Sequence, residues 1–220
     1  MAVFVTATGT DVGKTFVTCA LIREARRAAL AVSAYKPVIS GFSDAAAHDS
    51  DTGRILEALG RPCDCASVDE ISPWRFAAAL SAEMAAEREG RVVPFDEVAA
   101  FCRERAARTK GLCLIEGVGG LMSPIDARRT NLDLIVASGA RPLLVAGSYL
   151  GTISHTLTAL AALRAASLEP IAIVVSESAV SPVPLSELIE RLGVLARVPL
   201  FAIARDQEAP RALIELIAKA

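Results

Sequence analysis

The chain alternates between short unbroken apolar runs and longer segments whose apolar residues recur at helical spacing. The runs AVFVTA (2–7), AVSAYKPV (31–38), LCLIEG (112–117), PLLVAG (142–147), IAIVVS (171–176) and PLFAIA (199–204) are bounded mainly by Gly, Pro and Ser. Apolar runs without polar alternation predict strands buried on both faces. Segments 15–29, 96–109, 153–166 and 184–195 predict helices, and in the third Ile153, Leu157, Leu160 and Leu163 fall on one stripe. No repeat, linker or low-complexity tract interrupts the alternation. The pattern predicts an α/β fold, a single doubly wound domain over residues 1–220 with a mostly parallel sheet. Ligands of such sheets bind beyond the carboxyl ends of the strands. Residues at those ends are therefore the candidates for chemistry.

Composition narrows the classes. Hydrophobic residues make up 53% of the chain and aromatics 5%, which gives an aliphatic, alanine-rich core. A net charge of -2 and the lack of a basic cluster interleaved with aromatics argue against a nucleic-acid partner. No apolar run reaches transmembrane length. MAVFVTATGT carries no basic region ahead of its apolar residues, so it does not read as a signal peptide. The expected location is the cytoplasm, with no membrane partner. Cys19, Cys63, Cys65, Cys102 and Cys113 lack the spacing of a four-ligand zinc site and read as reduced, structural thiols. No metal-ligand spacing includes His48 or His155.

The chemistry starts at TATGTDVGKT (6–15). Gly13-Lys14-Thr15 ends as a phosphate-binding loop does, but the usual first glycine position holds Thr8. Backbone N–H groups at the start of the following helix suit an anion. Lys14 can reach the β- and γ-phosphates of a nucleotide, and the Thr15 hydroxyl can ligate Mg²⁺. Glu116 ends an apolar strand where a second magnesium ligand belongs, and the glycines of GVGG (117–120) leave room for a ligand beside the backbone. Asp51, in AAHDSDTGR, reads equally as a third magnesium ligand or as a helix N-cap.

Lys36, in AYKPVISG, follows the second strand, and on a strand beside the loop its ammonium would lie near Lys14. Two neighbouring cations are costly unless an anion lies between them. ATP needs only one of them, so the pair points to a second anionic group, with Thr10, Asp11 and Ser40 placed to orient it.

These stretches, with EGVGGLMSPI and GSYLGTISHTL, resemble the dethiobiotin synthetase family over nearly the whole chain. The resemblance implies a phosphate loop with one extra residue between its glycines, whose first glycine falls on Ala7. It implies that 7,8-diaminononanoate takes up CO₂ to form a carbamate, that ATP phosphorylates the carbamate, and that the second amine closes the ureido ring. Asp11, Val12, Gly13, Lys14, Thr15, Phe16 and Ser176 would bind ATP. Lys14, Lys36 and Thr10 would be catalytic, while Ser40 and Gly117, Val118 and Gly119 would bind the diamine. Thr15, Asp51 and Glu116 would hold Mg²⁺. The family is a homodimer, in which Gly151, Thr152, Ile153 and Ser154 would receive the substrate's carboxylate tail from the partner chain.

The chain departs from the family at AAALSAEMAA (77–86), at Ser176 where an Asn is usual, and at FAIARDQEAP (201–210). The last two bear on base preference and tightness, not on reaction class. Asp11 stands where Glu or Gly is usual, which leaves it an auxiliary role near the amines. A cobyrinate diamide synthase relative would need a glutaminase domain, for which 220 residues leave no room. The alternative from another class is a partitioning-type ATPase switch, which would carry a lysine where this chain has Gly9.

Overall fold

The structure is a computed structural model and describes residues 1–219; Ala220, the last residue of the expected domain, lies outside the described residues. In chain order the elements begin with β1 (Ala2–Ala7), α1 (Lys14–Arg27), β2 (Val32–Tyr35), β3 (Val38–Ser40), α2 (Asp51–Leu59), α3 (Cys65–Ile71), β4 (Trp74–Phe76), α4 (Ala82–Arg88) and α5 (Phe95–Arg108). They continue with β5 (Leu112–Glu116), α6 (Asn131–Ser138), β6 (Arg141–Gly147), α7 (Thr152–Ala165), β7 (Ile173–Ser176), α8 (Leu185–Ala196), β8 (Leu200–Ile203) and α9 (Arg211–Lys219).

Six strands form one sheet in the order β2-β5-β1-β6-β7-β8, and every neighbouring pair is parallel. Helices cover both faces, which is why the strands read as continuous apolar runs. On β1, Phe4 joins one core with Ile115, Leu144 and Val175. Val3 and Val5 point the other way and join Leu114, Leu143 and Val174. The sheet is parallel throughout, so β1, β2, β5, β6 and β7 end along one edge. That edge carries the phosphate loop, Lys36, Glu116, Gly147 and Ser176.

The expected 31–38 strand is two elements. β2 stops at Tyr35, and Val38–Ser40 pairs instead with Trp74–Phe76 in a separate two-stranded parallel sheet. Pro37 has no N–H to give to a ladder and cannot continue a central strand. Lys36 turns its own N–H to Ile71 O at 3.1 Å, and Trp74 N–H reaches Pro37 O at 3.1 Å. Lys36 therefore sits on the seam between the two sheets.

Candidate active site

α1 begins without the usual side-chain cap. Its N-cap residue is Gly13, in the left-handed region at φ 96°, with no side-chain cap bond and no acidic residue in the first turn. The first N–H groups of a helix have no partner within it. Here they are left to a ligand, on the positive end of the helix dipole. Asp11 also holds a positive φ of 55°, whereas Ala7 closes β1 outside that region. A negative-φ site accepts alanine without strain, so the missing first glycine costs the loop nothing.

A cleft of about 600 Å³ opens over this loop. Thr10, Asp11, Gly13, Lys14, Thr15 and Phe16 line one side, with Val118, Gly119 and Ser123 beside them. Lys36, Ser40, Asp51, Arg54 and Ala79 to Ser81 line the other. A second cleft of about 310 Å³ adjoins it, bounded by Asp11, Val12, Gly13, Phe16, Ser176, Glu177, Ser178 and Arg205. The residues expected from the loop, the second strand and the glycine turn thus meet at one place. Gly151, Thr152, Ile153 and Ser154 line neither cleft. Gly151 caps α7 at φ 96° without a side-chain bond. Thr152 spends its hydroxyl on Gly147 O at 2.6 Å, and His155 is held by the Tyr149 hydroxyl at 2.9 Å.

The charged centre is compact. Lys36 Nζ, 3% exposed, lies 2.7 Å from Glu116 Oε1 and 3.0 Å from Asp51 Oδ2. Thr15 Oγ1 donates to the same Glu116 oxygen at 2.7 Å. Burial alone would lower the Lys36 pKa, but the Glu116 carboxylate and then Asp51 outweigh it and hold it above the ordinary lysine value. Asp51 also feels burial first, yet the Lys36 charge and hydrogen bond leave its pKa below the usual carboxylate range. Lys14 has no such partner. Among the described residues its ammonium reaches only Gly9 O, at 3.4 Å, and burial with the nearby Lys36 charge lowers its pKa to about 8.

Two sequence readings change here. Asp51 is not the N-cap of α2; Ser50 takes that place, accepting from Gly53 N–H at 3.1 Å. The charge argument for a second anion also fails as stated. Glu116 and Asp51 already balance Lys36, so the proximity of the two lysines does not by itself require another anionic group.

The fit to Mg²⁺ rests on oxygen donors. Glu116 Oε2 is buried without a hydrogen-bond partner, beside the Thr15 hydroxyl and the Asp51 carboxylate. A hard cation takes such oxygens, with phosphate and water completing its shell. Among the described residues no group of three or more His, Cys, Asp or Glu forms a metal cage. Two carboxylates and a hydroxyl suit a cation that arrives with phosphate.

No motif or periodicity in the sequence marks Asn131. This fully buried residue opens α6, and its Nδ2 donates to Val118 O at 2.5 Å and Gly120 O at 2.8 Å. It fixes the glycine turn beside the cleft. The same turn touches the phosphate loop, where Leu121 N–H donates to Ala7 O at 2.7 Å. Ser81, in the departing 77–86 segment, lines the cleft with a buried hydroxyl that has no partner.

Comparison with known proteins supplies the family. An AAA-domain family model matches residues 1–205. ATP-dependent dethiobiotin synthetase BioD of Caulobacter sp. (strain K31) is 49% identical over 208 residues, 94% of this chain and 89% of the relative. The protein of the same name from Methylobacterium nodulans is 41% identical over 219 residues, 97% of each chain. Among solved structures, the MinC:MinD cell division complex of Aquifex aeolicus aligns with a TM-score of 0.56 at 12% identity, covering 99% of this chain and 85% of that one. A ParA family ATPase from Chlorobium tepidum gives 0.51 at 12% identity, covering 93% and 84%. At that identity the likeness speaks to the fold alone, a parallel sheet covered by helices on both faces. Sequence identity of this extent along nearly the whole chain, on that fold, means that the chain belongs to the family of ATP-dependent dethiobiotin synthetases, ligases of biotin biosynthesis.

Proposed function

We propose that the larger cleft seats 7,8-diaminononanoate against the ATP γ-phosphate and that one phosphate-loop domain carries the whole reaction. One amine adds to CO₂ and loses a proton, giving a carbamate. A carbamate oxygen then attacks the γ-phosphorus and releases ADP. The second amine attacks the resulting carbonyl carbon and expels phosphate, closing the ureido ring. The observation that carries this reading is that Lys14 and Lys36, from different elements, line the same cleft with Thr10 and Ser40.

In this reading Lys14 and the open start of α1 hold the transferring phosphoryl group. Lys36 and Thr10 steady the carbamate, while Ser40 and the 117–119 turn hold the diamine and Asp11 lies near its amines. Asp11 to Phe16 bind ATP, and Ser176 borders the space for the base. Such positioning and charge stabilisation are what phosphoryl transfer asks of a protein. Thr15, Asp51 and Glu116 would hold Mg²⁺, which when bound screens phosphate charge. The uncapped start of α7 at Gly151 to Ser154 suits the substrate carboxylate of a partner subunit in a cytoplasmic homodimer.

The test is product formation. Mass spectrometry should find dethiobiotin, with matching ADP, when ATP, the diamine and bicarbonate are all present. ADP release that does not depend on the diamine would overturn the reading.

A further inference from the structure

Lys36 is assigned to the carbamate and Glu116 and Asp51 to the cation, yet the structure shows these groups bonded to one another. Lys36 Nζ touches an oxygen of each carboxylate, at 2.7 and 3.0 Å. Thr15, the third expected cation ligand, hydrogen-bonds to the same Glu116 oxygen that Lys36 holds. A cation shared by Thr15, Glu116 and Asp51, even one held through the unpartnered Glu116 Oε2, would therefore lie beside the ammonium. Lys36 is 3% and Glu116 0% exposed, and at such burial the repulsion between a divalent cation and an ammonium beside it is screened far less than in bulk water. One cation must give way.

We infer that Lys36 serves as an internal stand-in for the divalent cation, holding the Glu116–Asp51 pair until the metal arrives and then turning its ammonium to the substrate in the cleft. The inference rests on the magnesium site proposed above. It gives the lysine two successive partners, the protein's own carboxylates and then the substrate carbamate. It also orders the site: Lys36 becomes available to the carbamate only after the cation has loaded. The buried Glu116 carboxylate, left bare beside the half-exposed Asp51, would be costly, and Lys36 removes that cost in the empty enzyme. Its seat on the seam between β2 and β3 anchors the backbone of Lys36 through Ile71 O, so the side chain alone makes the move.

The test needs no turnover. Free Mn²⁺ is titrated by electron paramagnetic resonance against wild type, Lys36→Gln and Glu116→Gln, all without nucleotide and each checked for native circular dichroism. Removing the competing ammonium should tighten Mn²⁺ binding by about tenfold or more, the scale on which a neighbouring charge alters ion binding. Glu116→Gln should weaken it by about tenfold or more, as loss of a ligand-shell group does. A second measurement keeps the native lysine: with ¹⁵N-lysine protein, Mg²⁺ should shift the Lys36 Nζ resonance and leave Lys110 and Lys219 in place. Unchanged Mn²⁺ affinity in a folded Lys36→Gln protein, or a Lys36 resonance that stays put at saturating Mg²⁺, overturns the exchange while leaving the magnesium site standing. Unchanged affinity in Glu116→Gln removes the magnesium site and the exchange with it.

Discussion

A side chain on Gly13 would run into Ser176: a Cβ built there meets the serine hydroxyl and lies 2.9 Å from its Cβ. Ser176 is the last residue of β7 and only 5% exposed, so it closes the space behind the phosphate loop besides bordering the second cleft. Gly13→Ala must also hold φ near 96°, which costs an L-residue roughly 1–2 kcal/mol. Calorimetry should show ATP affinity reduced by about tenfold or more, the equivalent of that strain. Adding Ser176→Gly relieves the collision but not the dihedral, so it should restore binding only in part. Wild-type affinity in the single variant would mean that the loop does not need this conformation.

For Lys36→Gln, diamine-dependent turnover should fall by about 10²–10³, as on loss of one preorganised charge. ATP affinity should stay within about threefold of wild type, because Lys14 and the start of α1 still face the phosphates. Calorimetry and product mass spectrometry measure the two effects separately. A parallel collapse of both would make Lys36 a phosphate ligand.

Asn131→Leu keeps the forked shape, though bulkier, and removes the amide that bridges Val118 O and Gly120 O. Two buried carbonyls then lose a partner, at about 1–3 kcal/mol each. Urea denaturation should show a loss of about 2–6 kcal/mol, and the diamine KM should rise as the glycine turn loosens. A loss smaller than about 0.5 kcal/mol, the range of ordinary surface changes, would leave Asn131 without a positioning role.

Burial pushes the Cys102 thiol up to about 12, from an unfolded value near 9. The folded chain then keeps a proton that the unfolded chain releases above pH 9, so this thiol's contribution to stability is intact at pH 8 and shrinks as pH rises toward 12. Relative to Cys102→Ala, wild type should lose roughly 1 kcal/mol between pH 8 and pH 10. Urea midpoints at the two values measure it, and a pH-independent gap would refute the shift. In the folded protein, a thiol reagent at pH 8 should label the exposed Cys65 and leave the buried Cys19, Cys102 and Cys113 intact.

Sequence pattern located what lies on long periodic elements or in contiguous motifs. Five of the six strands and the four helices read from it match the observed ones to within a few residues, because burial on both faces marks the strands plainly; the 31–38 run instead splits at Lys36-Pro37. β3 and β4, at three residues each, are too short to show a period, and α6 is apolar on too much of its surface to show a stripe. Lys14 and Thr15 are neighbours in sequence, so their joint role was legible. The bond between Lys36 and Glu116 spans 80 residues and exists only once β2 lies beside β5. Asn131 gave no signal at all, since nothing local separates an asparagine that braces two carbonyls from one on a surface turn.

The seam at Lys36-Pro37 has a consequence for how such an enzyme can diversify. From there to β5 the chain leaves the main sheet, and this excursion supplies Ser40, Asp51, Arg54 and Ala79 to Ser81 to the cleft. The opposite wall comes from β1, α1 and the turn after β5. In the proposed assignment Lys14, Thr15 and Glu116 fall on that second wall and Ser40 on the first, while Asp51 and the 117–119 turn cross the division. A chimaera that exchanges residues 38–110 between relatives would move Ser40, Asp51 and the Ala79 to Ser81 wall together and leave Lys14, Thr15, Lys36 and Glu116 with the host.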